Sequence, residues 1–468
     1  MSHADDPLTT TTSLCPHCLE QVPGAYESRD GGVYLTRECE IHGTTSRQVW
    51  GSLDHWEWAG QFAPEFDASE GPVDLTVDHD HACLAIVEVT EDCNLSCDFC
   101  FASSGPGGTQ NPFEDVLHLL DVIEDQGGPR PVQFSGGEPT VRDDLPELVA
   151  AAADRGFEHV EVNTNGLRLA REDGYAQRLA DAGVTAVYLQ FDGLERETYV
   201  DIRSADILEF KHAAIEACRA ADLPIILVPT LVPGTNEHEM GDIVEFALEN
   251  ADVIRSVNFQ PVAHFGRYER NDGRFSLDEA ARLLTEQFDA LAVEDILPAP
   301  CCSAYCQIGT ALLPRADGPP LPLTRFITEG LWDSVSGMVD EGDYMELLAG
   351  TAAGQDLACS AAGCCGVDVP DAADDLFDSV VPISITGFMD ADAADVNRLE
   401  NCCLSVPTPD GDLVPFCGYN MTTEDGEYAL RNRNGWGGRE TVAGSEQYAD
   451  PEVAGEEAPD ETLGESND

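Results

Sequence analysis

Basic side chains are scarce in this sequence: Lys and Arg total 24 against 88 Asp and Glu, and Lys211 is its single lysine. The formal charge of −64 makes nucleic-acid phosphates and anionic membrane surfaces poor partners. No stretch of eighteen apolar residues occurs, so no transmembrane helix is expected. The start, Met1 to Ser13, has no basic region and no apolar core and does not read as a secretory signal. A Gly-rich P-loop is missing, and no Ser/His/Asp arrangement stands out. Acidic pairs such as Asp143-Asp144 and Asp374-Asp375 are expected by chance at this composition, so conventional acid–base catalysis has no signature here.

The acidic charge needs screening. Like charges repel within a Debye length, which shrinks to about 3 Å near molar salt. Apolar periodicity through most of the chain excludes a disordered acidic protein, so the composition points to a halophilic cytosol. Seventeen cysteines accompany no export signal, and in a reducing cytosol they do not form a disulfide framework. Their clustering points to metal. Cys218, on an amphipathic helical pattern, and Cys83, entering an apolar strand, read as packing residues.

Residues 1–13 and the acidic 436–468 read as disordered, 14–75 as a small metal-knuckle module, 80–297 as an α/β core, and 298–435 as a Cys-rich extension. In the core, apolar runs recur at Cys83–Val89, Val132–Phe134, His159–Asn163, Ala186–Phe191, Ile225–Leu231 and Ile254–Phe259. Helical patterns follow at Phe113–Asp125, Leu145–Arg155, Tyr175–Ala182, Ile207–Ala221, His238–Glu249 and Leu277–Leu291. This alternation predicts a parallel sheet with helices outside, either a partial barrel or an open sheet. Active residues then belong at the C-terminal ends of the strands.

Directly after the first strand comes Thr90-Glu-Asp-Cys93-Asn-Leu-Ser-Cys97-Asp-Phe-Cys100, a C-x3-C-x2-C loop. Three thiolates can hold three irons of a [4Fe–4S] cube and leave the fourth iron open to a small molecule. A zinc site wants a fourth ligand nearby, and this loop offers no obvious one. With Phe99 before the last cysteine, the motif resembles the signature of the radical S-adenosylmethionine (SAM) superfamily. The resemblance implies a partial (β/α)6 barrel and an open iron that binds the amino and carboxylate groups of SAM. It further implies reductive cleavage to a 5′-deoxyadenosyl radical that abstracts hydrogen from an unactivated carbon. Ser135-Gly136-Gly137-Glu138-Pro139-Thr140 resembles the superfamily's GGE motif, implying contact with the SAM amino group. Glycines permit close backbone approach to a ligand, and a carboxylate complements an ammonium. At later strand ends stand Asn163-Thr-Asn165-Gly166, suited to ribose hydroxyls, then Asp192 and Thr230, each a candidate SAM or substrate contact or a simple polar turn.

Metal-ligand spacing flanks the core. Cys15-Pro-His-Cys18 and Cys39-Glu-Ile-His42 form two knuckles able to hold Zn²⁺ or a single iron, with His17 outside the ligand set. The extension carries Cys301, Cys302, Cys306, Cys359, Cys364, Cys365, Cys402, Cys403 and Cys417. Eight thiolates would serve two auxiliary [4Fe–4S] clusters; if adjacent pairs such as Cys402-Cys403 give one ligand each, the count supports one.

The order of these modules resembles an archaeal radical SAM group that includes pterin-modifying methylases and tetraether lipid synthases. Matching stretches include Ser13-Leu-Cys-Pro-His-Cys18, Gln133-Phe-Ser-Gly-Gly-Glu-Pro-Thr-Val-Arg142, Pro300-Cys301 with Cys306, and Pro415-Phe-Cys417-Gly-Tyr-Asn420. One departure is that Gly71 to Ala82 has no cysteine where the group carries a Cys-rich run, which leaves Cys83 alone and argues against a cluster there. The resemblance implies C-methylation of a pterin-like small molecule, with a reductant such as ferredoxin. Alternatives are radical coupling of lipid chains, or a non-catalytic iron–sulfur carrier or scaffold. A scaffold needs neither Glu138 nor a vacant iron.

Overall fold

The Thr-rich start is already a strand. In the computed structural model, which describes residues 7–63, 83–268, 273–299, 303–315, 318–326, 380–431 and 442–443, β1 (Thr9–Leu14) pairs antiparallel with β2 (Gln21–Arg29). The expectation that residues 1–13 lack structure therefore fails from Thr9 onward. Successive threonines favour extended backbone, and Thr11 Oγ1 donates to Asp395 at 2.7 Å. β3 (Gly32–Cys39) and β4 (Gly43–Trp50) complete a four-stranded meander. Helix α1 (Leu53–Gly60) follows, capped by the Ser52 hydroxyl, which accepts from the His55 amide. Trp56 of this helix stacks on Tyr305 with ring centroids 3.7 Å apart.

In the core, β5 (Leu84–Thr90), β7 (Val132–Gly136), β8 (Val160–Thr164), β9 (Ala186–Gln190), β10 (Ile225–Val228) and β12 (Ile254–Pro261) run parallel, with spatial order equal to chain order. Short β6 (Thr109–Gln110) and β11 (Thr230–Leu231) lie beside β5 and β12. Helices α2 (Phe113–Asp125), α3 (Leu145–Ala153), α4 (Leu167–Arg171), α5 (Tyr175–Ala182), α6 (Arg196–Arg203), α7 (Leu208–Ala220), α8 (Met240–Glu249) and α9 (Leu277–Gln287) connect or follow these strands. The result is the expected partial (β/α)6 barrel.

Alternation along each strand separates two environments. Val87, Phe134, Val162, Val187, Leu227 and Val257 face the helices and belong to the main apolar core. Their neighbours Gln133, Asn163, Tyr188 and Asn258 line the cavity within the barrel. The inner face is mixed, since Leu84, Ile86 and Val228 line the same cavity.

The extension joins the same sheet at both edges. β16 (Val381–Thr386) lies parallel beside β12, with β14 (Gln307–Leu313) antiparallel beyond it; β13 (Leu297–Pro298) and β15 (Leu321–Pro322) are short antiparallel neighbours of β14. β17 (Leu404–Pro407) runs parallel beside β5 and turns back into β18 (Leu413–Pro415). Residues 387–403 thus cross from one edge of the barrel sheet to the other. Of 436–468, Val442–Ala443 pairs with β6 and the rest lies outside the described residues. Among the described residues, no helix is long and apolar enough to cross a membrane.

Candidate active site and metal centres

The Cys93–Cys100 loop leaves β5 at its C-terminal end and is held by backbone and side-chain bonds. Cys93 N–H donates to Gly105 at 3.2 Å, and Asp92 accepts from Gly107 N–H at 2.9 Å. Cys100 and Arg267 exchange backbone bonds of 2.8 and 3.0 Å, while Arg267 Nε reaches the Cys97 carbonyl at 2.8 Å. Tyr428 donates to the Phe101 carbonyl at 2.6 Å. All three cysteines line one cavity of about 270 Å³. Burial, with Glu138 and Cys97 nearby, pushes the Cys93 thiol well up; burial also raises Cys97. Such thiols become thiolates when a metal cation compensates them, so the donor set fits an iron cluster. Among the described residues, the three central thiols do not fall within 4.8 Å of one another, the close grouping that a single tetrahedral ion needs and that Cys15, Cys18, Cys39 and His42 alone show.

The two glycines of the GGE stretch border the cavity and also permit a second close approach. A Cβ on Gly136 would stand 2.3 Å from the Thr90 carbonyl oxygen, and one on Gly137 2.3 Å from that of Asp92. The close approach is to the cysteine loop itself: Gly137 and Glu138 N–H groups donate to Thr90 and Asp92 at 2.7 and 2.9 Å. The buried Glu138 carboxylate accepts from Thr140 N–H at 3.0 Å, Thr164 Oγ1 at 2.6 Å and Asn165 N–H at 2.6 Å. It ties the end of β7 to that of β8 and also borders the cavity.

Asn163 and Asn165 both line the cavity, with Asn165 Nδ2 donating to Asn94 at 2.7 Å. Phe99 lines it and packs with Ile202, Val232 and Val262. Asp192 is fully buried and is not among the lining residues. Both its oxygens receive Arg203, at 2.7 Å each, and one accepts from Thr230 N–H at 3.1 Å. Arg203 also donates to Thr230 Oγ1 at 2.9 Å, and its positive charge near the Cys97 thiol opposes the rise that burial gives it. Sequence reasoning missed Arg203, Arg267 and Lys211. Lys211 is wholly buried, its Nζ donates to the Asn165 carbonyl at 2.5 Å and to Gln190 Oε1 at 2.9 Å, and burial lowers it to about 7.

In the N-terminal module, ligand atoms of Cys15, Cys18, Cys39 and His42 all lie within 4.8 Å of one another. Backbone N–H groups of His42 and Ile41 lower Cys39 to about 6, favouring the thiolate that a metal requires. His17 pairs with Glu424 at 2.9 Å. Buried Arg37 donates to the Ala391 and Asp392 carbonyls at 2.7 and 2.8 Å, docking the module on the extension.

Cys306, Cys402, Cys403 and Cys417 line the same cavity as the central three. Arg398 approaches Cys306 Sγ at 3.1 Å, and Cys83 N–H donates to the Cys403 carbonyl at 2.8 Å. Burial pushes Cys417 up to about 12. Cys301, Cys302, Cys359, Cys364 and Cys365 lie outside the described residues. Cys218 is fully buried in the helix-side core, as a packing residue should be.

A parallel barrel bearing a three-thiol loop and a GGE turn at its strand ends defines a radical SAM enzyme, and residues 87–247 match the Radical SAM superfamily. Residues 7–51 match the HMPTM N-terminal zinc ribbon domain. The chain belongs to the methyl-transferring family of the Methanocaldococcus jannaschii protein named 7,8-dihydro-6-hydroxymethylpterin dimethyltransferase, to which it is 33% identical over 88% of its own length and 93% of the relative's. It is also 30% identical to GTP 3′,8-cyclase of Corynebacterium glutamicum strain R, over 43% of this chain and 55% of that one. Among solved structures, HydG, a maturase of the [FeFe]-hydrogenase, aligns with a TM-score of 0.37 and 14% identity, covering 44% of this chain and 48% of that one.

Proposed function

We propose that this enzyme methylates an unactivated carbon of a pterin, of the kind named for its M. jannaschii relative. One observation carries the reading: a single cavity is lined by the three central thiols, by side-chain amides such as Gln133, Asn163 and Asn258, and by apolar side chains such as Leu84, Ile86 and Phe388. A flat heterocycle suits this mixed wall, its faces resting on the apolar side chains and its donors and acceptors meeting the amides. Cys93, Cys97 and Cys100 hold a [4Fe–4S] cluster. Phe99, Gly136, Gly137, Glu138, Asn163, Asn165 and Thr230 surround SAM, and Asp192 acts through Arg203. When bound, the cluster supplies one electron to the sulfonium of SAM and so opens the radical chemistry. Arg203 sets a fixed positive charge beside Cys97, and Arg267 keeps the loop in register.

Cys15, Cys18, Cys39 and His42 hold a zinc ion. Cys306, Cys402, Cys403 and Cys417 would hold an auxiliary [4Fe–4S] cluster, with Cys301, Cys359 and Cys364 as ligand candidates for a second, and a ferredoxin-like protein is the reductant. The charge of −64 fits this work to a salt-rich cytosol.

The test is anaerobic turnover after dithionite reduction, with 5′-deoxyadenosine and methylated product measured together. A 7,8-dihydropterin should stimulate both in the presence of SAM. Stimulation by an ether lipid instead would transfer the reading to chain coupling, and no 5′-deoxyadenosine with either would leave a scaffold. A triple Cys93/Cys97/Cys100→Ala variant should lose roughly four irons.

A further inference from the structure

Several inward-facing polar residues of the barrel present hydrogen-bonding groups to the cavity, and three of them carry the argument. Tyr188 on β9 accepts from Asn258 Nδ2 at 2.7 Å and from Gln260 Nε2 at 2.8 Å. Two accepted bonds fill the phenol's lone pairs, so its own hydrogen is left to donate. Among the described residues none accepts it, and Tyr188 lines the cavity. Gln260 spends its amide nitrogen on Tyr188, which leaves its side-chain oxygen without a partner among the described residues. On β7, Gln133 Nε2 donates to the buried Glu161 carboxylate at 2.7 Å. This bond uses the amide nitrogen and leaves Gln133 Oε1 without a partner among the described residues. The wall therefore offers acceptor, donor and acceptor. Tyr188 and Gln133 stand two strands apart, roughly 10 Å at ordinary strand spacing.

We infer that Gln133, Tyr188 and Gln260 read the 2-amino-4-oxo edge of the pterin, an assignment that rests on the substrate reading above. The amide oxygens take the 2-amino and N3 hydrogens, and the Tyr188 hydroxyl donates to the 4-oxo group. In a 7,8-dihydro-6-hydroxymethylpterin the saturated ring carbon and the hydroxymethyl carbon sit at the opposite end of the bicycle. These bonds make the three wall residues specificity determinants. A site built to bond a polar edge discriminates strongly against an analogue that cannot make those bonds.

The experiment uses the reconstituted full chain with SAM present. Binding of 6-hydroxymethyl-7,8-dihydropterin, and of its lumazine counterpart with oxygen in place of the 2-amino group, is followed by ligand fluorescence. Wild type should prefer the pterin by tenfold or more. Tyr188→Phe, which removes one oxygen and keeps the ring, should weaken pterin binding at least tenfold and weaken SAM binding far less. Gln133→Leu should bind pterin and lumazine within about threefold of each other, a loss of discrimination that general loosening of the barrel does not produce. If wild type binds and methylates the pterin while both variants keep full affinity and preference, the wall assignment is overturned and the substrate reading stands. If wild type ignores the pterin altogether, the substrate reading falls and the assignment with it.

Discussion

Arg203 meets Asp192 edge-on, Nε and Nη2 each 2.7 Å from one carboxylate oxygen, and the carboxylate is fully shielded from solvent. The same guanidinium lies against Cys97 and Thr230. Asp192→Asn keeps the shape and removes the charge, leaving a buried cation half-partnered. Breaking such a pair destabilises on the order of 3–5 kcal/mol. The urea midpoint should therefore fall, and reductive SAM cleavage should drop roughly ten- to hundredfold as the cation shifts beside the thiols. Equal midpoints and equal cleavage in wild type and variant would remove Asp192 from the site.

Gly137→Ala tests the seam between the cysteine loop and the GGE turn. The new Cβ would meet the Asp92 backbone oxygen at 2.3 Å, and backbone cannot swing aside as a side chain can. The cysteine loop must move. Iron content should fall by roughly four per chain, while metal bound at the N-terminal knuckles is retained. A variant with full iron and normal SAM cleavage would show that the loop tolerates the displacement.

Much of this was legible from residue order. The ligands of the central site fall within one loop, and those of the knuckles within two, so spacing alone identifies them. Phe113–Asp125 and Tyr175–Ala182 form helices with the bounds their periodicity predicts. Helix Arg196–Arg203 was not legible, because its sequence RETYVDIR is mostly polar with few apolar positions. Arg203 and Lys211 gain their roles from partners on other strands, which no local pattern reveals. The pairing of Leu404 with Leu84 joins distant parts of the chain and depends on the finished barrel offering a free edge. The polar wall is present in V-Q-F-S-G and V-E-V-N-T as alternate residues, yet five positions cannot say whether the polar side meets solvent or a lumen.

The N-terminal metal site should stabilise more than its own module. Arg37 reaches the Ala391 and Asp392 carbonyls, and Tyr26 donates to Asp395 at 2.5 Å, so the ribbon supports the segment leading to Cys402 and Cys403. Cys39→Ser, or a strong chelator, should remove one metal and unfold the ribbon, since so small a domain has little core of its own. The thermal midpoint of the whole chain should fall by several degrees, on the order of 1–2 kcal/mol. Unchanged melting after demonstrated metal loss would make the ribbon an independent appendage.

Lys211 gives a pH dependence with a defined sign. Its ordinary value is 10.5, and burial lowers it in the folded chain to about 7, against the opposing pull of Asp192. Between those two values the unfolded chain binds the proton that the folded chain has released. Stability must then rise with pH through this window, and the contribution is lost as pH falls through the folded value. Cysteines also titrate there, so the measurement is a difference. Urea midpoints of wild type and Lys211→Met, taken at several pH values from 7 to 10 in constant molar salt, should show a steeper upward slope for wild type. Lys211→Met should lie closest to wild type near pH 7, where the native protein bears the burden of a half-charged buried ammonium. Parallel curves would mean that Lys211 keeps its proton throughout, held by Asn165 and Gln190 as a charged donor.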